Sequence, residues 1–181
     1  MMVLAATVSA LVAALGIRGL ADSNESLRTV YEERMTPVRT LSQIAHLMLA
    51  NQHQLQMALA PFPAAGSPVR AALQPESARR AAQAMEDNMH AIDRLWENYV
   101  ATLEKTEKIE QVERFATRRT GYRNEAIKPA IAALRSLDYA DTQRLTGFAR
   151  TLYERDSPDI QALIDLQFEQ ARSAYRAGLH R

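Results

Sequence analysis

At 181 residues the chain is long enough for one domain with a real core, and a hydrophobic content of 47% argues against disorder. Lys+Arg 22 against Asp+Glu 21 leaves a net charge of +1, which gives no reason to expect nucleic acid as a partner. There is no cysteine, so a disulfide framework, a thiolate nucleophile and a cysteine-ligated zinc site are all excluded.

Met1 to Leu20 is an apolar run with one charge, Arg18. A membrane-spanning helix needs about 20 such residues, and an arginine near its end can snorkel to the headgroups. The expected boundaries are therefore a transmembrane helix over 1–21 and a helical domain over 22–181. A secretory signal peptide and a buried helix are the alternatives. No basic residues precede the run, as a signal peptide would have them; trimming upstream would also explain their absence. Asp22, Ser23, Asn24 and Glu25 suit a helix start or a polar collar outside the membrane.

From Leu27 to Leu59 apolar positions recur three and four apart. The stripe is Leu27, Tyr31, Arg34, Val38, Leu41, Ala45, Met48, Gln52, Leu55 and Leu59, flanked by Val30, Ile44 and Leu47. A mean spacing near 3.5 keeps one narrow face towards partner helices. The flanking residues offer a second, narrower face for a homodimer. Pro37 predicts a kink, because the stripe continues on both sides of it. No helix can cross Pro61-Phe62-Pro63-Ala64-Ala65-Gly66-Ser67-Pro68.

Pro75-Glu76 reads as an N1 proline with an acidic first turn, opening a second helix to about residue 104. Its seam is Ala78, Ala82, Met85, Met89, Ile92, Trp96, Tyr99 and Leu103. Glu104 to Lys108 makes a reversal, with Thr106 as a possible N-cap. The third helix places Ile109, Val112, Ala116, Arg119, Arg123, Ala126, Ala130 and Ala133 on its seam. Gly121 and Pro129 predict a loosened middle. Asp138 or Asp141 caps a fourth helix carrying Leu145, Phe148, Leu152, Ile160, Leu163, Leu166, Ala171 and Tyr175, kinked at Ser157-Pro158. Short connections between long helices make neighbours antiparallel, so the fold expected is an all-α, up-down-up-down four-helix bundle. The chain ends on Arg172, Arg176, His180 and Arg181, a basic cluster suited to a membrane surface just before a second span.

Residues 27–44, LRTVYEERMTPVRTLSQI, resemble the opening of the periplasmic four-helix-bundle sensor domain of bacterial methyl-accepting chemotaxis receptors. In that family a Tyr-acidic-acidic-Arg stretch and a proline open the first helix outside the membrane, and Tyr31, Glu32, Glu33, Arg34 and Pro37 stand in those places. Residues 162–175, ALIDLQFEQARSAY, resemble its closing helix through Leu166, Gln167, Ala171 and Tyr175. The resemblance implies a dimeric, non-enzymatic sensor anchored in the inner membrane, with its bundle in the periplasm, binding a small molecule. It also implies that a small displacement of the last helix carries the signal inward. Input domains of some histidine kinases and cyclic-nucleotide enzymes share the module, so the output stays open. In aspartate-sensing members several arginines on the distal half of the first helix hold the ligand. Here no Arg or Lys occurs between Arg39 and Arg70, so that mode is not supported.

Arginines of the third helix are the substitutes. Arg114 and Arg118 read as solvated, but the repeat puts Arg119 and Arg123 where apolar residues are expected, with Tyr122 between them. A guanidinium buried there needs an anion, either a glutamate of the bundle or a carboxylate ligand. Counting from the ends aligns Asn51 to His53, Met85 to Asn88, Arg123 to Lys128 and Arg150 to Tyr153 in height. Gln52 sits on a seam, as a ligand contact or as a buried amide fixing register. The candidate ligand-binding set is Arg119, Tyr122, Arg123, Gln52, Asn51, Asn88, Thr146 and Tyr153, and the candidate ligand is an organic acid or other small anion.

No catalytic residue, metal or cofactor is expected. The sequence has no phosphate loop, nucleophile elbow or Glu-x-x-His; Glu86 and His90 are four apart, and Met48, Met85 and Met89 read as core filler. The rival readings are a purely structural helical bundle, in which Arg119, Arg123 and Gln52 are all paired internally, and a sensor of a ligand-loaded binding protein that docks at Pro61 to Pro75.

Overall fold

The described parts of the long apolar repeats are helical in the computed structural model, which describes residues 35–60, 74–103 and 109–179. Helix α1 spans 35–59, α2 Pro75–Ala101, α3 Ile109–Gly121, α4 Lys128–Ser136 and α5 Tyr139–Leu179. A single π-helical turn, Tyr122–Ile127, joins α3 to α4, so the two form one continuous third rod. No strand occurs among the described residues. The membrane helix expected over 1–21, the polar collar, Tyr31 to Arg34, the loop at Pro61 to Pro68, the reversal at Glu104 to Lys108 and the final His180 and Arg181 lie outside the described residues. Among those described, no helix is long and apolar enough to cross a membrane.

The chain divides into two units, Pro37–Asp165 and, separately, Met1–Thr36 with Leu166–Arg181. In the first, four antiparallel helical rods pack as a bundle whose core holds Leu41, Met48, Leu55, Met85, Trp96, Tyr99, Phe115, Ile127, Leu134, Leu145 and Leu163. In the second, Gln167 and Ala171 are buried and Phe168 is exposed.

Local chemistry sets the helix ends. Pro75 stands at the start of α2 with Glu76 in the first turn, where a missing N–H costs nothing and an anion meets the helix dipole. The Asp138 carboxylate accepts the Asp141 backbone N–H at 2.9 Å and so caps α5. Pro158 lies inside α5, which continues through it. The carbonyl of Glu154, which the proline cannot reach, accepts the Ser157 hydroxyl at 3.5 Å.

The seams of α1 and α2 fall where the spacing puts them, but three other expectations need correction. On the third rod the core residues up to the start of the π turn are Phe115 and, as the turn's first residue, Tyr122, while Ala116, Arg119 and Arg123 sit on the flank. Pro129 offers no N–H to the ladder, and the π turn closes with Lys128 N–H on the Arg123 carbonyl. One extra residue turns the face by about 100°, so a repeat extrapolated from Ala126, Ala130 and Ala133 is out of phase above the turn. On α5 the exposed Phe148 is replaced in the seam by Ala149, and the fully buried Asp156 takes a seam position. The second face proposed for α1 also moves. Ile44 is fully buried and Leu47 packs on the core, so the outward face carries Leu49, His53 and Met57 instead.

Candidate ligand-binding site

Because the π turn rolls Arg119 and Arg123 onto the flank, both guanidiniums emerge beside α2 rather than inside the core. There they meet one carboxylate, Asp93. Arg119 NH1 donates to Asp93 Oδ1, and Arg123 NH1 donates to Oδ2 at 2.9 Å. Arg119 is the more enclosed, its side chain only 12% exposed, and its guanidinium lies 5.6 Å from the centre of the Trp96 ring. Trp96 is held in turn by Tyr99 and Phe115, with ring centres 5.4 and 5.2 Å away.

Two cations against one anion leave these three groups with an excess positive charge. The Arg119 Nε–H is buried and has no acceptor among the described residues. Such a donor carries a desolvation cost of about 1–3 kcal/mol until something accepts it. Beside it opens a cleft of about 260 Å³, counting its solvent-open mouth, with enclosed room for about one water. Met48, Met89, Ile92 and Ile127 form its apolar wall, and Asn51, Asp93, Arg119, Tyr122 and Arg123 form the rest.

A family model described as Tar ligand binding domain homologue (TarH) matches residues 1–171. The chain belongs to the TarH family. No curated protein and no solved structure matches it. TarH domains are non-catalytic, ligand-binding sensor modules and form the periplasmic parts of membrane chemoreceptors. This TarH chain is thus a ligand-binding sensor domain of a chemoreceptor.

Of the eight residues singled out in the TarH chain, Asn51, Arg119, Tyr122 and Arg123 line the cleft. Asn88 stands behind it, donating to the Asn51 side-chain oxygen at 2.9 Å. Gln52 belongs to the bundle interior: its amide donates to the Tyr122 hydroxyl at 3.0 Å, and that hydroxyl donates to the Met48 carbonyl at 3.2 Å. The Gln52 oxygen is buried without a donor among the described residues. Thr146 bonds the carbonyl of Thr142 on its own helix, and neither it nor Tyr153 lines the cleft.

Burial pushes the Tyr122 phenol well above the ordinary tyrosine range, and the nearby Tyr153 and Asp156 push the same way. Asp156 is fully buried; it accepts from Arg155 at 2.6 Å, with Arg118 NH1 at 3.8 Å, and this hydrogen bond raises the Arg155 pKa further. Arg114 and Arg118 also share Asp159, so both are tied to α5 rather than merely solvated.

Asp93 escaped sequence reasoning, while Met89 and Ile92, read from the spacing as seam residues, also form part of the cleft wall. The available signal was Asp93 next to the seam residue Ile92 and one helical turn before Trp96, a position that a flank arginine of a neighbouring helix can reach.

Proposed function

We propose that this domain hangs from the inner membrane by a span within residues 1–21, lies in the periplasm over 22–181, and binds an organic acid or other small anion in the cleft lined by α1, α2, the end of α3 and the π turn. The observation that carries the reading is the buried, acceptorless Arg119 Nε–H beside two guanidiniums that share one carboxylate. Arg119, Arg123 and Gln52 each have a partner inside the bundle, as a purely structural reading requires; what favours a ligand is the Arg119 Nε–H left over beside the cleft. Guanidinium recognises carboxylate through parallel N–H donors, which makes an anion the fitting occupant. Occupancy then biases α5, which leads towards the membrane end of the bundle.

Thermal unfolding in a panel of organic acids tests the reading. A ligand at about 100 times its dissociation constant adds about 2.7 kcal/mol of stability. The gain should vanish in Arg119→Ala and Arg123→Ala. If both variants keep it unchanged, the ligand sits elsewhere.

We also infer that the working unit is a homodimer joined along the outward face of α1. From Thr40 to Ala60 that helix carries no Asp, Glu, Lys or Arg, and Leu49 and Met57 are 51% and 56% exposed. An uncharged face is matched best by another, and a second copy held in the same membrane presents one at high effective concentration. The natural chain lacks cysteine, so Leu49→Cys is a single-thiol probe. Oxidation in membranes should give covalent dimers, whereas the exposed Val100→Cys on α2 should not; equal yields would sink the α1 interface.

A further inference from the structure

We propose that Asp93 is a charge filter, and that the cleft it guards takes a small monocarboxylate with a short apolar body. The proposal rests on the reading that the cleft binds an anion. Arg119, Arg123 and Asp93 together lack one negative charge, and one carboxylate restores neutrality while accepting the idle Arg119 Nε–H. Asp93 therefore already occupies part of the anion seat and leaves room for one more charge.

The rest of the lining holds no further cation for a second charge. Its wall is Met48, Met89, Ile92 and Ile127. Asn51 offers only a neutral amide N–H, and the Tyr122 hydroxyl is committed to the Met48 carbonyl while accepting from Gln52. A second carboxylate would lie unpaired against apolar side chains and near Asp93, which is costly on both counts. A short hydrocarbon suits that wall. The enclosed space is small, but two of the four wall residues are methionines, whose unbranched side chains move aside easily.

Calorimetry on the whole chain with butyrate, succinate, butyramide and 2-aminobutyrate tests the filter. Wild type should bind butyrate at least about tenfold tighter than succinate, and Asp93→Asn should close that gap by tightening succinate about tenfold or more. Where Asp93→Asn does not fold, Arg123→Gln carries the test, because it removes the excess positive charge. Butyrate should then weaken about tenfold and bind no better than butyramide. Succinate binding wild type as tightly as butyrate overturns the filter, as does a succinate-to-butyrate ratio that Asp93→Asn leaves unchanged. Tighter binding of 2-aminobutyrate than butyrate also overturns it, since Asp93 would then be receiving an ammonium group. If Arg119→Ala binds butyrate as wild type does, or no carboxylate binds at all, the cleft reading itself fails. If Arg119→Ala abolishes binding while the ratio ignores Asp93, only the filter fails.

Discussion

Phe115→Ala is expected to lower the stability of the domain by about 3–5 kcal/mol, the usual cost of deleting a buried aromatic ring. Phe115 is fully buried and lies 5.2 Å from the Trp96 ring, tilted by 60°, so the cavity would open in the core next to the largest side chain there. A domain of this kind has about 5–15 kcal/mol in total, so the urea midpoint should fall steeply. Phe115→Leu fills most of the space and should cost less than about 1.5 kcal/mol. The variant also reaches the site. Trp96 is the platform under the Arg119 guanidinium, and a Trp96 ring free to tilt no longer fixes that side chain. Ligand protection should therefore weaken in Phe115→Ala even where the domain remains folded. A loss below about 1 kcal/mol would mean that the ring is not enclosed as described.

Sequence periodicity was enough for most of the architecture because α1 and α2 obey one geometric rule over their described lengths. Leu41, Met48, Gln52 and Leu55 are buried where a three–four alternation puts them, as are Ala78, Ala82, Met85, Ile92, Trp96 and Tyr99. Caps were legible for a local reason: Pro75 and Asp138 act within one turn of themselves. The third rod defeated the rule. Gly121 and Pro129 announced a loosened stretch, but not that it would be a π turn, and that one added residue decides which face holds Phe115 and Tyr122. The arginines stood out on a supposed seam and lie instead on a flank, where an aspartate of another helix meets them. Asp93 is 26 residues from Arg119, and no local pattern links positions so far apart. Asp156 was overlooked because a charge on a seam is expected to be expelled, yet Arg155 and Arg118 hold it inside.

The bond between Gln52 and Tyr122 predicts opposite results from its two ends. Tyr122→Phe removes the hydroxyl that answers the Gln52 amide and that caps the Met48 carbonyl. Gln52 would then have neither polar atom satisfied, because its oxygen already lacks a donor. Leaving buried groups unpaired costs about 1–3 kcal/mol, and the extra space is too small to offset it. Gln52→Met instead removes the orphaned oxygen along with the amide and keeps the shape of a straight side chain. The Tyr122 hydroxyl still donates to Met48, so this change should be neutral or stabilising by up to about 1 kcal/mol. Alkaline unfolding separates the two variants further. With its pKa raised above the unfolded value of about 10, Tyr122 stays protonated in the fold while the unfolded chain loses the proton. The neutral-phenol contribution is complete below pH of about 10 and falls as pH rises beyond it. Wild type and Gln52→Met should therefore lose stability above that pH more steeply than Tyr122→Phe, which lacks the titrating group. Equal alkaline slopes in all three proteins would show that Tyr122 is not the buried phenol the geometry makes it, and a Gln52→Met variant as unstable as Tyr122→Phe would show that the amide oxygen has a partner after all.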